Sequence, residues 1–204
     1  MEVTFVGSYP THTLAPKDEK PEYAFIGRSN VGKSSLINML SGVDGLAKVS
    51  GTPGKTQMLN YFDVDKQWYL VDLPGYGFAK TPKHVRTSFG VMIDNYFNQR
   101  EALQCAFLLI DACVPPQRID LEFAEFLGAT GVPFVIVFTK IDRKKKDMNI
   151  DDNIMAFKKK MLEKWTQLPE VFMTSAQYRT GREEVLKFID SVNDTVIEKK
   201  PSKK

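Results

Sequence analysis

The stretch that decides the fold is "YAFIGRSNVGKSSL", residues 23–36, in which an apolar run leads through a turn with two glycines into Lys33 and Ser34. Gly27, four further residues, Gly32, Lys33 and Ser34 satisfy the pattern G-x-x-x-x-G-K-[ST] of a phosphate-binding loop. The glycines let backbone N–H groups point inward around a phosphate, and a helix that begins near Lys33 adds its positive end. Strand, loop and helix in this order predict a nucleotide-binding site.

The residues of this loop are the first predicted contacts of the nucleotide. They are Gly27, Arg28, Ser29, Asn30, Val31, Gly32, Lys33 and Ser34. Lys33 can reach the β- and γ-phosphates, which makes it a predicted catalytic residue, and the Ser34 hydroxyl is a predicted Mg²⁺ ligand. Arg28 has two interpretations: a positive charge on the phosphates or a solvated loop arginine.

The remaining chain alternates between strand-like and helix-like segments. Continuous apolar runs begin at Tyr23, Trp68, Ala106 and Pro133, and such runs are typical of parallel strands covered on both faces. Helical spacing is found in residues 34–40, 85–100, 115–131, 150–165 and 183–196, and a short strand is expected in "EVFMTS", residues 170–175. "MLNYFDVDKQWYLVD", residues 58–72, predicts a hairpin with an antiparallel edge strand. We therefore predict an α/β domain in three layers, whose ligand binds at the carboxyl ends of the strands.

A second motif identifies the base of the nucleotide. "VFTKID" places Asp142 after a predicted strand, where a carboxylate can accept hydrogen bonds from guanine N1–H and N2–H₂. Adenine offers no such donors, so Asp142 would lose its partners. The predicted base contacts are Thr139, Lys140, Ile141 and Asp142, together with Thr174, Ser175 and Ala176, whose backbone N–H groups can reach guanine O6.

A third group of residues is predicted to respond to the γ-phosphate. "YLVDLPGYG" contains Asp72, a predicted Mg²⁺ ligand that acts through water, and Gly75, whose N–H is a predicted catalytic contact of the γ-phosphate. The glycine-rich residues 41–57 predict a mobile loop in which Thr56, rather than Thr52, is a predicted catalytic residue that binds Mg²⁺ when triphosphate is present. The predicted nucleotide contacts here are Gly54, Lys55, Thr56, Gln57, Met58, Asp72, Leu73, Pro74 and Gly75.

Together, "GRSNVGKSSLIN", "TPGKTQ", "DLPGYGFAK" and "TKID" resemble the translation-factor-related GTPases. More narrowly, they resemble the EngB/YihA/YsxC family of bacterial ribosome-assembly GTPases, from about Pro21 to the final helix. The resemblance implies a Ras-like fold, Mg²⁺-dependent binding and hydrolysis of GTP, and a role in maturing the large ribosomal subunit. It also implies a link to normal cell division and septation.

The chain departs from the common GTPase pattern at two positions. Thr139 stands where most GTPases have asparagine, and we expect its shorter side chain not to tie the base loop to the phosphate-binding loop. Tyr76 stands where Ras-like proteins have the glutamine that orients water, so we expect slow intrinsic turnover and a ring turned away from the site. Related GTPases with an asparagine at the position of Asn30 hold K⁺ with its amide; alternatively, Asn30 only shapes the loop.

Composition and charge indicate the kind of surface, the domain limits and the location of the protein. The net charge is +3, with lysine-rich runs at residues 143–146 and 158–160, which favour either a polyanion-facing surface or a solvated one. We expect one GTPase domain over residues 21–197, an N-terminal extension of residues 1–20 packed on or preceding it, and a basic, disordered tail at residues 198–204. No apolar segment is long enough to span a bilayer, which predicts a cytoplasmic protein without a membrane partner.

These features lead to one preferred function and two alternatives. We expect a monomer that binds GTP and GDP and acts as a switch on precursors of the large ribosomal subunit, contacting rRNA and ribosomal proteins. The first alternative is a nucleotide-gated interaction protein of the division machinery, for which hydrolysis is incidental. The second is a phosphotransferase, which is disfavoured because the sequence has no acceptor-substrate or lid segment.

Overall fold

The computed structural model describes residues 1–47, 58–77, 83–143 and 149–199. The strands are β1 (Val3–Tyr9), β2 (Glu22–Gly27), β3 (Leu59–Val64), β4 (Trp68–Asp72), β5 (Leu103–Asp111), β6 (Phe134–Thr139) and β7 (Val171–Met173). The helices are α1 (Lys33–Ser41), α2 (Lys83–Gln99), α3 (Arg118–Thr130), α4 (Ile150–Leu162) and α5 (Arg182–Lys199). Each predicted helix and strand is present, although α4 ends at Leu162 instead of 165.

The strands form one seven-stranded sheet in the order β1-β3-β4-β2-β5-β6-β7. β4, β2, β5, β6 and β7 run parallel to one another, whereas β3 is antiparallel to both β1 and β4. The predicted fold class, an α/β sheet with an antiparallel edge, is therefore confirmed. The hairpin strand β3 is not itself the outermost strand, because β1 covers it from Val3↔Val64 to Tyr9↔Leu59.

Apolar side chains fill both faces of the sheet, which gives the predicted three layers. On one face, α2, α3 and α4 pack on the sheet through residues such as Tyr96, Leu127 and Phe157. On the other face, α1 and α5 pack through residues such as Ile37 and Ile189. Burial on both faces explains why the parallel strands are continuously apolar instead of alternating.

A buried ion pair fastens the N-terminal segment and α2 to the sheet. Glu22 has 0% of its surface exposed, and its carboxylate accepts hydrogen bonds from the hydroxyls of Tyr61 and Tyr96, both at 3.1 Å. Arg100, just after α2, donates to the same carboxylate and to the carbonyl of Pro16. Every contact of this group therefore links elements that are distant in the sequence.

Among the helices of the described residues, none is both long enough and apolar enough to cross a bilayer.

Candidate nucleotide-binding site

The phosphate-binding loop connects the carboxyl end of β2 to the first turn of α1. Gly32 precedes the helix with φ of 104°, a conformation that favours glycine, and its carbonyl accepts the first helical hydrogen bond, from Leu36 N–H at 2.9 Å. Asn30 also has a positive φ, 65°, which asparagine tolerates better than most residues. The loop backbone is thus turned as its glycine and asparagine positions predict.

Lys33 and Asp72, predicted to act on the phosphates and on Mg²⁺, lie side by side. Lys33 Nζ contacts Asp72 Oδ1 in an ion pair, and Asn60 Nδ2 donates to Asp72 Oδ2 at 3.3 Å. The contact arises because β4 pairs with β2 in parallel, which aligns Asp72 with Phe25 just before the loop.

The oxygen groups near this ion pair suit Mg²⁺. Asp72 offers a carboxylate and Ser34, in the first turn of α1, offers a hydroxyl; both are the hard ligands that Mg²⁺ prefers. Across the described residues, no group of three or more His, Cys, Asp or Glu side chains could hold a metal ion. Mg²⁺ is usually bound by one or two protein groups together with phosphate oxygens and water.

Gly75 packs directly against the backbone of the phosphate-binding loop. A Cβ atom at Gly75 would lie 3.1 Å from both the Gly27 carbonyl oxygen and the Ser29 nitrogen. The next residue, Tyr76, accepts a hydrogen bond from Ser29 N–H at 3.0 Å and donates to the Gly27 carbonyl at 3.1 Å. Only glycine fits this position without moving the loop.

The Tyr76 ring turns away from the loop, as predicted. Its exposed fraction is 4%, it stacks on Phe123 with ring centroids 4.5 Å apart, and its hydroxyl donates to Asp120 Oδ1 at 2.9 Å. Burial and the neighbouring Asp120 carboxylate raise the pKa of Tyr76 well above its usual value. The ring of Tyr76 is therefore packed against α3 and its hydroxyl is paired with Asp120.

The solvated interpretation of Arg28 is wrong. Arg28 Nε donates to both carboxylate oxygens of Asp120 at 2.9 Å, and Asp120 is only 1% exposed. Burial raises the pKa of Asp120, while the Arg28 charge acts in the opposite direction. The guanidinium charge is thus paired with α3.

Five of the seven predicted base contacts, all but Ile141 and Ser175, line a cleft of about 170 Å³ beside the phosphate-binding loop. The cleft is lined by Gly32, Ser35, Leu36, Thr139, Lys140, Asp142, Arg143, Thr174, Ala176 and Gln177. Residues from three separate motifs therefore surround one space. Asp142 at its wall is where a guanine-reading carboxylate is expected.

Thr139 ties the base loop to the phosphate-binding loop, so the prediction that its side chain is too short is wrong. Its hydroxyl donates to the Val31 carbonyl at 2.6 Å, and the residue is 4% exposed. The span is short because β6 ends close to the loop, where a Cβ at Gly32 would lie 3.8 Å from Thr139 Cβ. A hydroxyl therefore reaches the loop backbone where a longer amide is usual.

Lys140 is a second link between the two loops. Its ammonium group donates to the Asn30 carbonyl at 2.7 Å and also pairs with Asp111 at the end of β5. Burial by itself would raise the pKa of Asp111, but the hydrogen bond from Lys140 holds it below the usual value. Lys140 thus also lines the base cleft.

The backbone N–H groups of Thr174, Ser175 and Ala176 are predicted to reach guanine O6, but two of the three already have partners. The N–H of Thr174 donates to the Phe138 carbonyl at 2.7 Å, and that of Ser175 donates to the Thr180 carbonyl at 3.2 Å. These two groups are occupied, so the predicted contact with guanine O6 rests on Ala176. Ile141 links the two segments that carry the predicted base contacts, because its backbone N–H donates to the Thr174 carbonyl at 3.3 Å.

Four predicted contacts, Gly54, Lys55, Thr56 and Gln57, lie outside the described residues. Met58 is described and lies half-buried just before β3, and Leu73 and Pro74 connect Asp72 to Gly75. Sequence reasoning missed Asp111 and Asp120. Asp111 carried a signal, since it ends a predicted parallel strand; Asp120 carried none beyond its place at the start of a helix.

This loop, at the carboxyl end of a parallel strand with a carboxylate-lined cleft beside it, defines a P-loop nucleotide-binding protein with a Ras-like fold. The model of a family described as 50S ribosome-binding GTPase matches residues 22–140. With the full-length relatives described next, the match shows that the chain belongs to the EngB family of P-loop GTPases, proteins that hydrolyse GTP.

The similarity to EngB relatives extends over almost the whole chain. A probable GTP-binding protein EngB of Porphyromonas gingivalis is 51% identical over 198 residues, which is 97% of this chain and 98% of that protein. The corresponding protein of Christiangramia forsetii is 50% identical over 181 residues, 89% of this chain and 91% of its own.

Solved structures show the same fold. A crystal structure of a probable GTP-binding protein EngB, 25% identical, superposes with a TM-score of 0.66 and covers 85% of this chain and 99% of that one. A GTP-binding protein of Sulfolobus solfataricus in complex with GDP is 21% identical, with a TM-score of 0.60 over 86% of this chain and 53% of that one. The second likeness concerns the fold alone.

Proposed function

We propose that this GTPase is a switch that binds the large ribosomal subunit during its assembly and releases it after hydrolysis. The observation that carries the proposal is the cleft in which Asp142 and Thr139 lie beside the phosphate-binding loop. The family description, 50S ribosome-binding GTPase, supports the choice of partner. The nucleotide would be GTP or GDP, because Asp142 has partners only on guanine.

The residues of the site divide the chemistry among them. Lys33 moves from Asp72 to the β- and γ-phosphates, because phosphate oxygens compete for its ammonium group, and the Gly75 N–H contacts the γ-phosphate. Mg²⁺, held by Ser34 and Asp72, would neutralise charge on the β- and γ-phosphates. Tyr76 supplies no carboxamide to orient water, so intrinsic turnover is slow.

A K⁺ site at Asn30 stays a prediction. The left-handed backbone at Asn30, with φ of 65°, supports the alternative that this residue shapes the loop. Comparing GTP hydrolysis in KCl and NaCl at matched ionic strength, for the unaltered protein and Asn30→Ala, separates the two. A K⁺ site requires faster hydrolysis in KCl that the substitution abolishes.

The ribosomal role is tested by co-sedimentation with large-subunit particles. Binding is measured across a salt series with a non-hydrolysable GTP analogue, with GDP and without nucleotide. We expect binding with the analogue to exceed binding with GDP, and the logarithm of affinity to fall with the logarithm of salt, because contacts with rRNA phosphates release counterions. Neutralising Lys144, Lys145 and Lys146, which lie outside the described residues, should reduce the slope and leave GTP affinity nearly unchanged.

An internal control uses the base specificity of the same protein. If Asp142→Asn exchanges guanine for xanthine, binding of this variant to the particles should respond to a xanthosine triphosphate analogue and no longer to the GTP analogue. Binding that ignores both salt and nucleotide would contradict a ribosomal switch. It would favour the alternative, a nucleotide-gated interaction protein of the division machinery with incidental hydrolysis.

A further inference from the structure

One buried carboxylate contacts two separate parts of the nucleotide-binding site. Asp120, in the first turn of α3, is 1% exposed. Arg28 of the phosphate-binding loop donates to both of its oxygens at 2.9 Å, and Tyr76, which follows Gly75, donates its hydroxyl at 2.9 Å. A buried carboxylate is stable only when it is paired and hydrogen-bonded. Asp120, Arg28 and Tyr76 therefore form a unit, the Asp120 cluster.

The backbones of the same residues are joined as well. Arg28 and Tyr76 form an isolated β-bridge, with hydrogen bonds of 3.0 Å from Ser29 N–H to the Tyr76 carbonyl and 3.1 Å from Tyr76 N–H to the Gly27 carbonyl. Gly75 is the residue next to this bridge, and its backbone touches the loop. The distance of Gly75 from the loop is consequently determined by the contacts that hold Tyr76.

Packing on α3 strengthens the attachment of Tyr76. The ring stacks on Phe123 at 4.5 Å with an interplanar angle of 11°, and the Arg28 side chain lies across Gly77, where a Cβ would be 3.6 Å from Arg28 Cγ and from Ile119 Cδ1. Tyr76 cannot leave without losing both the stacking and a hydrogen bond to a buried charge. The segment after Gly75 is thus held by α3 as well as by the loop.

We propose that Asp120 is a positioning residue for GTP hydrolysis. It holds Arg28 and Tyr76 together, so that the Gly75 N–H faces the place of the γ-phosphate before nucleotide binds. This role rests on the proposed contact between Gly75 and the γ-phosphate. Because GDP lacks that phosphate, loss of the Asp120 cluster weakens binding of GTP and slows its hydrolysis, whereas binding of GDP is largely retained.

The test compares Asp120→Ala, Asp120→Asn and Tyr76→Phe, which removes only the hydroxyl and keeps the ring. For each variant, dissociation constants are measured for GDP and a non-hydrolysable GTP analogue, and hydrolysis is followed in single turnover. We expect Asp120→Ala to lower analogue affinity and turnover by roughly three- to thirtyfold, with GDP affinity changed less than about twofold. Asp120→Asn, which keeps an acceptor, should lie between it and the unaltered protein.

Glu122→Gln is the matched control on the same helix, since it removes an exposed ion pair with Arg118 and leaves the site untouched. If Asp120→Ala does not fold, the ratio of analogue to GDP affinity in Tyr76→Phe decides. A purely structural role would lower thermal stability and the affinities for both nucleotides equally, and that result overturns the proposal.

Gly75→Ala distinguishes failure of the positioning role from failure of the contact on which it rests. A Cβ at Gly75 must displace loop backbone, so selective loss of analogue binding in this variant supports the γ-phosphate contact. If Gly75→Ala is selective and the variants of Asp120 and Tyr76 are not, only the positioning role is wrong. If Gly75→Ala also lacks selectivity, the contact itself is wrong and the positioning role is overturned with it.

Discussion

Thr139 shows how one hydroxyl can join two loops of a nucleotide site. It donates to the Val31 carbonyl at 2.6 Å while 4% exposed. Thr139→Val keeps the shape of the side chain and removes the donor, so the Val31 carbonyl loses this partner. We expect the free energy of unfolding to fall by about 1–3 kcal/mol, and the affinity for GDP to fall with it. Urea unfolding and GDP titration measure both. Thr139→Ser, which retains the hydroxyl, should be milder, and equal effects of the two would contradict this assignment.

Asp142 should determine which base is accepted. Asp142→Asn replaces two acceptor oxygens with one acceptor and one donor, which fits the xanthine C2 carbonyl better than the guanine amino group. We expect guanine affinity to fall by about 1.5–3 kcal/mol, roughly ten- to a hundredfold, and xanthine affinity to rise. Competition titrations with guanine, xanthine and adenine nucleotides measure the change. Equal binding of ADP and GDP by the unaltered protein would show that Asp142 does not read guanine.

At the level of residues, motif spacing could identify groups that act on a ligand but not groups that act on one another. Lys33 and Asp142 could be predicted because the phosphate and the base require those chemical groups at those places. Asp120 could not be predicted, since its partners Arg28 and Tyr76 meet it only after α3 has packed on the sheet. The interpretation of Arg28 as solvated was wrong for the same reason.

The ion pair of Glu22 and Arg100 decides how α2 is attached to the sheet. Arg100→Ala would leave the carboxylate of Glu22, 0% exposed, without its positive partner. Removing one member of a buried pair typically destabilises a protein by about 3–5 kcal/mol, and we expect a loss of this size in urea unfolding. Arg100→Lys keeps the charge without the planar fork and should be intermediate. Arg118→Ala, which breaks an exposed pair, is the control and should change stability little.

Among the elements, the parallel strands could be predicted because both of their faces are buried. β1 could not, because it is an edge strand whose side chains are mostly exposed. β5 has an uninterrupted buried run from Cys105 to Ile110, which local sequence reveals. In β1, Phe5 and Val6 are 54% and 41% exposed, and Val3 lies at 9%, so this strand has no continuous buried run like that of β5. Its existence depends on the free edge of β3, which is far away in the sequence.

At the scale of the whole molecule, residues 1–20 contact the GTPase domain predicted to begin at residue 21. β1 pairs with β3, Lys20 pairs with Asp63 at 2.6 Å, and Arg100 reaches the Pro16 carbonyl. These contacts tie the N-terminal segment to the sheet at three places. We therefore expect the segment to contribute to stability and not to nucleotide recognition, because the base cleft lies on the other side of β2.

Removal of residues 1–9 tests this expectation. Without β1, the N–H and C=O groups along β3 lose their partners and present a free edge, so we expect a lower midpoint of thermal unfolding and a tendency to associate. GDP affinity of the folded fraction should be unchanged.

Val3→Ala and Val6→Ala form a matched pair within the strand: Val3 is 9% exposed, whereas Val6 is 41% exposed and lies at the irregularity between Phe5 and Gly7. Val3→Ala should cost about 1–2 kcal/mol through lost burial and Val6→Ala little. If the two substitutions lowered stability equally, or if the truncated protein were as stable as the full chain, β1 would not contribute to the stability of the domain.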